Sequence, residues 1–252
     1  MEEYLKRQIA LRDIPGICAA VSKNGNREVL SVGTGVGTDR SFDTGSVVKT
    51  VIATEIFMKA ERGEIELDDD IIRKLSHTSA MRDDGGPLWK PEENIFCYCN
   101  RAYEELADSV LGGIISLIEE SRLPLSTCYT KDSENRYVEV TDRNKEYISD
   151  IWILSDYAEG ILKGRYLSNV MRDLMWEPRA LVPNTGEHMA CGWFIWDIHG
   201  RSYYGHEGGA DGFRSSFYVC PEDDSYVIIL ANSSEAPTKR IAEGIICEEY
   251  VK

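Results

Sequence analysis

The sequence lacks any apolar stretch long enough to cross a bilayer, for which a helix needs about 20 consecutive apolar residues. Most of its first seven residues, Met1–Arg7, are charged, and no apolar segment of the kind found in export signals follows them. We therefore expect a soluble protein of the cytoplasm with no membrane partner.

Basic residues are also scarce. The 252 residues include 28 Lys and Arg against 43 Asp and Glu, which gives a formal net charge of −15 and a sequence pI of about 4.8. Such a surface repels phosphate backbones, so we expect no nucleic acid partner. The densest acidic run, residues 64–70, is interpreted as a solvated turn rather than a metal site.

The seven cysteines do not have the pattern of a disulfide framework. Their number is odd and their spacing is scattered, which is typical of thiols in a reducing compartment. Cys97 and Cys99 have the spacing of a metal-binding pair, but no second pair of Cys or His follows at the distance of a zinc site. We therefore predict no metal site.

Strand patterns occupy both ends of the chain, and helical patterns fill the middle. Residues 17–22 and 28–32 indicate two strands joined through Asn24-Gly25, a strong hairpin signal because both turn positions need positive φ. Further strands are predicted between residues 191 and 231, before a closing amphipathic helix. The intervening segments that favour helices are residues 46–62, 101–111, 114–120 and 148–162.

This order predicts an α+β fold. One antiparallel sheet, built from both termini, would be flanked by helices and would carry an inserted helical subdomain. We assign residues 1–45 and 186–252 to the sheet subdomain and residues 46–185 to the mostly helical one, within a single compact unit. Residues 128–147 are polar and too weakly patterned to place.

The first candidate for chemistry is Ser46-Val47-Val48-Lys49, which begins a helix pattern that is apolar on nearly all sides and therefore buried. Residues three apart share a helix face, with Cβ atoms about 5–6 Å apart. The Ser46 hydroxyl and the Lys49 amine would meet near the unpaired N–H groups of the helix start, which favour a developing oxyanion. A desolvated, neutral lysine can accept the serine proton. Taken alone, the spacing favours the simpler interpretation of an N-cap serine and a surface lysine.

Two further segments carry side chains or backbone groups suited to the same chemistry. Tyr98 could transfer a proton beside a serine–lysine pair, and the Asn100 amide could hold the lysine or a substrate carbonyl. The pair also fits a loop tyrosine and a helix N-cap. His206-Glu207-Gly208-Gly209 enters a predicted strand, where glycines let a ligand approach the backbone and a free N–H could join an oxyanion hole. It also fits a glycine-rich turn with an incidental histidine.

Together and in this order, the segments resemble the serine β-lactamase and penicillin-binding-protein superfamily, in its class C β-lactamase and family VIII carboxylesterase branch. The resemblance runs nearly from end to end. It is carried by Ile14-Pro15-Gly16-Ile17, Gly45-Ser46-Val47-Val48-Lys49-Thr50, residues 61–69, Leu75-Ser76-His77-Thr78-Ser79, Tyr98-Cys99-Asn100 with Ala102-Tyr103, Gly205-His206-Glu207-Gly208-Gly209 with Gly212-Phe213, Pro221-Glu222-Asp223 and Leu230-Ala231-Asn232.

The resemblance implies a role for each matching residue. Ser46 attacks a carbonyl carbon, Lys49 and Tyr98 share the general base and acid work, and Asn100 orients Lys49 and the substrate amide or ester. The backbone N–H groups of Ser46 and Gly209 form the oxyanion hole. The resemblance also implies that no metal or organic cofactor is needed.

The departures from the family pattern bear on the substrate. His206 stands where many β-lactamases have a lysine that offers a cation to a substrate carboxylate, and a histidine is mostly neutral at pH 7. Glu207 would disfavour anionic substrates if it pointed into the cleft, although strand alternation can turn it away. Arg214 could supply a replacement cation. The middle of the chain looks trimmed from Thr127 to Asp150, and His77 is interpreted as structural.

We therefore expect a serine hydrolase of small carboxylic esters or amides that works through a Ser46 acyl-enzyme, with esterase activity ranked slightly ahead of D-amino-acid peptidase activity. The expected partner is a small ester, amide or peptide substrate, and the oligomeric state is left open. One alternative is a β-lactamase or DD-peptidase. Another is a non-catalytic binding module on the same fold, which the joint presence of Ser46, Lys49 and Tyr98 disfavours.

Overall fold

One antiparallel sheet is the framework of the molecule. The computed structural model describes residues 1–86, 95–142 and 147–250. In chain order its strands are β1 (Gly16–Lys23), β2 (Asn26–Gly33), β3 (Ser41–Asp43), β4 (Tyr129–Lys131), β5 (Tyr137–Glu139), β6 (Ile148–Asp150), β7 (Ala180–Leu181), β8 (His188–Met189), β9 (Phe194–Ile198), β10 (Arg201–Ala210), β11 (Phe213–Cys220) and β12 (Ser225–Ala231). Eight of these described strands form the main sheet in the order β2-β1-β12-β11-β10-β9-β8-β7. The sheet thus combines both ends of the chain, as predicted.

Helices cover both faces of this sheet. They are α1 (Glu2–Arg12), α2 (Val48–Glu61), α3 (Asp69–Leu75), α4 (Asn100–Leu111), α5 (Ile151–Leu162), α6 (Asn169–Met175) and α7 (Thr238–Tyr250). Alternation along β1 separates two cores: Ile17 and Ala19 pack with α1 and α7, whereas Cys18 and Ala20 pack with α2 and α5. The predicted α+β fold, with one sheet from both termini and flanking helices, is confirmed.

The hairpin at the N-terminal end follows from its turn residues. Lys23 pairs with Asn26, which leaves a two-residue turn of Asn24 and Gly25. Their φ angles are 52° and 78°, which is the left-handed backbone that a type I′ turn requires. This turn returns the chain directly, so β2 becomes the edge strand beside the buried β1.

The segment that contains Ser46 begins with a tighter turn than the sequence pattern predicts. Residues Gly45–Val47 form a 3₁₀ turn, and α2 starts only at Val48. The Val47 N–H donates to the Thr44 carbonyl at 3.3 Å, a three-residue closure that is typical of helix starts. The helix itself is buried over most of its length, as its apolar circumference predicts. Ser46 therefore lies in the turn, at the N-terminal end of a buried helix.

The middle of the chain contains less helix than predicted. Residues 114–120 are not helical, because Gly112 and Gly113 take positive φ at the end of α4 and the Glu55 carboxylate accepts the N–H groups of Ser116 and Leu117. The unplaced segment contains the β4–β5 hairpin, and β6 pairs with β3. The predicted division at residues 45/46 and 185/186 stays a prediction.

The described residues also bear on the membrane, disulfide and metal expectations. Within them, every helix is too short or too polar to cross a bilayer. All seven cysteines fall in this part of the chain, and each is a free thiol. Across the same ranges, no three His, Cys, Asp or Glu side chains form a group that could hold a metal ion.

Asp150 links the small β3–β6 sheet to the start of α5. Its Oδ1 accepts the N–H groups of Trp152 at 2.9 Å and Ile153 at 3.0 Å, and its Oδ2 accepts the Ser121 hydroxyl at 2.6 Å. The side chain is buried, so its loss leaves three donors without an acceptor.

We predict that Asp150→Ala lowers the free energy of unfolding by about 2 kcal/mol, the upper range for loss of a helix cap. Urea denaturation monitored by circular dichroism measures this. Asp173→Ala is the matched control, because Asp173 is exposed and its ion pair with Arg172 lies on the surface, so we expect a change within about 0.5 kcal/mol. Equal effects of the two substitutions would contradict the capping role.

Candidate active site

Ser46 and Lys49 meet at the start of α2. The Lys49 Nζ lies 3.0 Å from the Ser46 Oγ and donates a second hydrogen bond to the Asn100 Oδ1 at 2.9 Å. Lys49 is 5% exposed, whereas Ser46 is half-buried and lines a cavity. The offset of three residues therefore places an amine against a hydroxyl that a ligand can reach.

Two tyrosine rings lie beside the Lys49 amine. Its Nζ is 5.1 Å from the ring centroid of Tyr98 and 5.4 Å from that of Tyr103, which are distances of cation–π contact. Tyr103 was not among the site residues predicted from the sequence. A usable signal was its offset of three residues from Asn100, which puts both side chains on one face of α4.

Asn100 is free to contact Lys49 because another residue caps α4. The helix begins at Asn100, and the Asp83 Oδ1 accepts the Asn100 N–H at 2.7 Å. The alternative interpretation of Asn100 as a simple N-cap therefore does not describe its side chain. Asp83 was not a sequence candidate, since it precedes the helix by 17 residues.

The edge of β10 approaches the Ser46 turn. β10 pairs with β9 only over Arg201–Gly205, so the edge that follows is unpaired on this side in the described part of the chain. A Cβ on Gly45 would lie 2.6 Å from the Gly209 carbonyl oxygen and 2.8 Å from its nitrogen. Similarly, a Cβ on Gly208 would collide with the Thr44 carbonyl oxygen. Glycines at these positions allow the two backbones to touch, which brings Gly209 to the nucleophile turn.

The contact between the turn and the sheet is held by hydrogen bonds. The Ser215 hydroxyl on β11 donates to the Thr44 carbonyl at 2.8 Å, and the Gly45 N–H donates to the Asp43 Oδ1 at 3.2 Å. Asp43 also accepts the Tyr147 N–H at 3.1 Å. These buried bonds fix Gly45 in its left-handed conformation (φ 49°) and hence fix the position of Ser46.

His206 is buried beside Tyr98 and does not line the Ser46 cavity. It is 2% exposed, and its ring centroid is 4.9 Å from that of Phe194 and 6.1 Å from that of Tyr98. Its Nδ1 lies 2.5 Å from the Glu207 carbonyl oxygen, which can only accept, so Nδ1 carries the proton. Burial, with the nearby Lys49, lowers the pKa of His206 to about 3. The imidazole is therefore neutral, and its predicted contact with substrate stays a prediction.

Glu207 and Arg214 lie on the opposite face of the sheet edge. They line a second pocket, of about 320 Å³, together with Lys239 at the start of α7, and Gly209 is the wall shared with the Ser46 cavity. Burial raises the pKa of Glu207. Strand alternation thus turns the carboxylate away from Ser46. The expected exclusion of anionic substrates required Glu207 to point into the cleft, so it no longer follows.

The Ser46 cavity has a volume of about 520 Å³, which is within the range of small-molecule sites. Its walls combine polar groups of the site with apolar side chains of α2 and α4; the lining residues are Ser46, Val48, Lys49, Ile52, Tyr98, Asn100, Tyr103, Glu104, Ala107 and Gly209. The cavity is therefore lined by five of the predicted residues, Ser46, Lys49, Tyr98, Asn100 and Gly209. The other three, His206, Glu207 and Gly208, are not among its lining residues.

Comparisons with known proteins place this architecture. The family model described as Beta-lactamase matches residues 1–114. The octameric penicillin-binding protein homologue from Pyrococcus abyssi has a TM-score of 0.82 and 19% identity, over 100% of this chain and 77% of that one. The D-stereospecific amidohydrolase from a Streptomyces species has a TM-score of 0.80 and 18% identity, over 100% and 99%.

The D-amino acid amidase from Ochrobactrum anthropi SV3 is also similar, with a TM-score of 0.78 and 15% identity, over 99% of each chain. No protein of curated function matches. At these identities the solved structures establish the fold, which agrees with the predicted resemblance, and the family model matches the part of the chain that contains Ser46, Lys49 and Tyr98.

We predict that Gly45→Ala slows the reaction of Ser46 by about 100-fold, because a Cβ there would push the turn away from the Gly209 backbone, and displacements near 1 Å have effects of this size. The labelling rate of Ser46 by a fluorophosphonate probe measures the loss. Gly63→Ala is the matched control, since Gly63 also has positive φ but has no atom within 4 Å of the added Cβ. Comparable labelling of both variants would show that the glycine contact does not set the site.

A second prediction concerns acid stability. The unfolded chain protonates His206 as the pH falls through about 6.5, whereas the folded protein does so only near pH 3. The stabilisation by neutral His206 is complete above pH 6.5 and is lost as the pH falls toward 3. When the pH is lowered from 7 to 4, the free energy of unfolding of His206→Phe should therefore decrease by about 3 kcal/mol less than that of the wild type. Urea denaturation at the two pH values measures this. Identical losses would contradict a buried neutral imidazole.

Proposed function

Because the chain has the fold of the serine β-lactamase and penicillin-binding-protein superfamily, we propose that it is a serine hydrolase with Ser46 as nucleophile. The observation that carries the proposal is the 3.0 Å contact between the Lys49 Nζ and the Ser46 Oγ at the wall of a cavity of about 520 Å³. A serine used only as a helix cap would not need a buried amine against its hydroxyl.

Acylation starts with proton transfer from the Ser46 hydroxyl to the Lys49 amine, while the Ser46 Oγ forms a bond to the substrate carbonyl carbon. Asn100 accepts a hydrogen bond from the amine at 2.9 Å and so holds its nitrogen beside Ser46, where the neutral form of the amine can accept the hydroxyl proton. The negative charge that develops on the carbonyl oxygen is stabilised by the N–H groups of Ser46 and Gly209, whose backbones the glycine contact brings together.

Collapse of this intermediate breaks the bond to the leaving alcohol or amine. The proton held by Lys49 passes to the leaving group, with the Tyr98 phenol as the group that relays it across the cavity. Water then attacks the acyl-enzyme, with Lys49 and Tyr98 accepting its proton. Release of the carboxylic acid returns the proton to Ser46, so neither a metal nor an organic cofactor takes part.

We propose small carboxylic esters and amides as substrates. The cavity has room for a small acyl group between apolar side chains of α2 and α4. The amidohydrolase and amidase among the similar structures support amides of D-amino acids as one class. The neutral His206 provides no permanent charge for a substrate carboxylate, which favours neutral esters and amides over β-lactams.

We predict that Ser46→Ala lowers the hydrolysis of p-nitrophenyl acetate by at least about 10³-fold with the fold unchanged by circular dichroism. Lys49→Ala and Tyr98→Phe should each lower turnover by about 10²–10⁴-fold, and their effects should not add, because they serve one proton path. Ser109→Ala and Lys59→Ala are matched controls on helix surfaces. Retained hydrolysis in Ser46→Ala would end the proposal.

A substrate panel distinguishes the candidate activities. The panel contains p-nitrophenyl esters, D- and L-phenylalanine amide and nitrocefin, and mass spectrometry detects the acyl group on Ser46. Turnover of nitrocefin at about 10⁴ M⁻¹s⁻¹ or more would favour a β-lactamase or DD-peptidase. Absence of labelling by a fluorophosphonate would favour a non-catalytic binding module.

A further inference from the structure

His77 lies under the site, in a position that the chemistry above does not use. It follows α3 by two residues, is fully buried and has a φ angle of 55°. Outside Gly, such a left-handed backbone is uncommon and needs support from its surroundings. Its ring occupies the space between the two tyrosines that flank the Lys49 amine, with centroid distances of 4.3 Å to Tyr98 and 5.0 Å to Tyr103.

His77 also holds the backbone on both sides of Tyr98. The Cys97 N–H donates to the His77 carbonyl oxygen at 2.7 Å, and the Cys99 N–H donates to the His77 Nδ1 at 3.1 Å. In an extended segment, alternate N–H groups point the same way, so a single residue can take both. The peptide that carries Tyr98 is therefore fixed at two points, and its ring is fixed at a third.

The acceptor role defines the state of the imidazole. An amide N–H can only donate, so the His77 Nδ1 must be unprotonated. Burial, together with His206 and Lys49 nearby, lowers the pKa of His77 well below its usual range, which keeps that acceptor available. A purely apolar side chain of similar size would fill the space but would leave the buried Cys99 N–H without an acceptor.

We propose that His77 is a positioning residue, which holds the Tyr98 phenol at the serine–lysine pair through its hydrogen bond from Cys99 and its ring contact. This inference rests on the proposed function, because it needs Tyr98 to relay a proton. It requires that a substitution of His77 lowers turnover by displacing the Tyr98 phenol. A residue that only stabilised the fold would act independently of the Tyr98 hydroxyl.

The test compares two substitutions of His77 with opposite properties. His77→Phe keeps an aromatic ring but removes the acceptor, and we expect kcat to fall by about 10- to 100-fold with KM changed by less than about twofold. His77→Asn keeps an acceptor oxygen near the position of Nδ1 and tolerates the left-handed backbone, so it should restore kcat to within about fivefold of the wild type. His77→Gln, whose acceptor lies one bond further out, replaces His77→Phe if that variant does not fold.

A double-mutant cycle supplies the decisive measurement. In the Tyr98→Phe background, His77→Phe should change kcat by less than about threefold, because the hydroxyl that it positions is already absent. His199→Phe is the matched control, since His199 also has a φ angle of 55° but is exposed in the turn between β9 and β10, and it should leave kcat unchanged in both backgrounds.

The outcomes separate this inference from the proposed function. The positioning role would be overturned by equal losses of kcat from His77→Phe with and without the Tyr98 hydroxyl, or by an unchanged kcat when Tyr98 is intact. In either case, an inactive Ser46→Ala variant would still support the hydrolase. Retained activity in Ser46→Ala would overturn both. Failure of His77→Asn to restore kcat above the level of His77→Phe would overturn the role of the Cys99 hydrogen bond.

Discussion

The contact between the Ser46 turn and the edge of β10 is the constraint on which the rest of the site depends. Two backbones separated by more than 160 residues in sequence touch there, and they can do so only because Gly45 and Gly208 lack side chains. The contact is maintained by the Ser215 hydroxyl and by Asp43, which hold the turn through hydrogen bonds. The position of Ser46 is therefore decided by polar contacts of the backbone inside a well-packed core.

The two faces of the sheet have different tasks. One face packs against α1 and α7 and closes an apolar core that joins the two ends of the chain. The other receives α2 and α5, and its edge supplies Gly209 to the cavity. Alternation along β10 assigns His206 to the side of Tyr98 and Glu207 to the side of α7. The Glu207 carboxylate, one residue from the buried His206, consequently lies outside the Ser46 cavity, on the far side of the strand.

The Lys49 amine is kept from water, whereas Ser46 and Tyr98 are only partly buried and Asn100 is exposed. Lys49 is nearly buried yet has two oxygen partners, and its amine faces two aromatic rings. Beneath it, His77 and His206 are neutral because burial beside a cation disfavours a second charge. The result is an ionisable amine packed against aromatic rings and above two neutral histidines. That arrangement suits proton transfer between a hydroxyl and an amine.

The sequence by itself determined which residues are candidates for chemistry and how the chain is layered. The offset of Ser46 and Lys49, the hairpin at Asn24-Gly25 and the strand patterns at both ends are local signals, because helix and turn geometry relate residues a few positions apart. Tertiary structure alone decided the remainder: the pairing of Asn100 with Lys49, the capping of α4 by Asp83, the location of Tyr103 and the direction of Glu207. Each of these depends on the distance between elements that are far apart in sequence. Residues 114–120 illustrate the same limit, because the predicted helix is replaced there by hydrogen bonds that the N–H groups of Ser116 and Leu117 donate to Glu55, a residue on another helix.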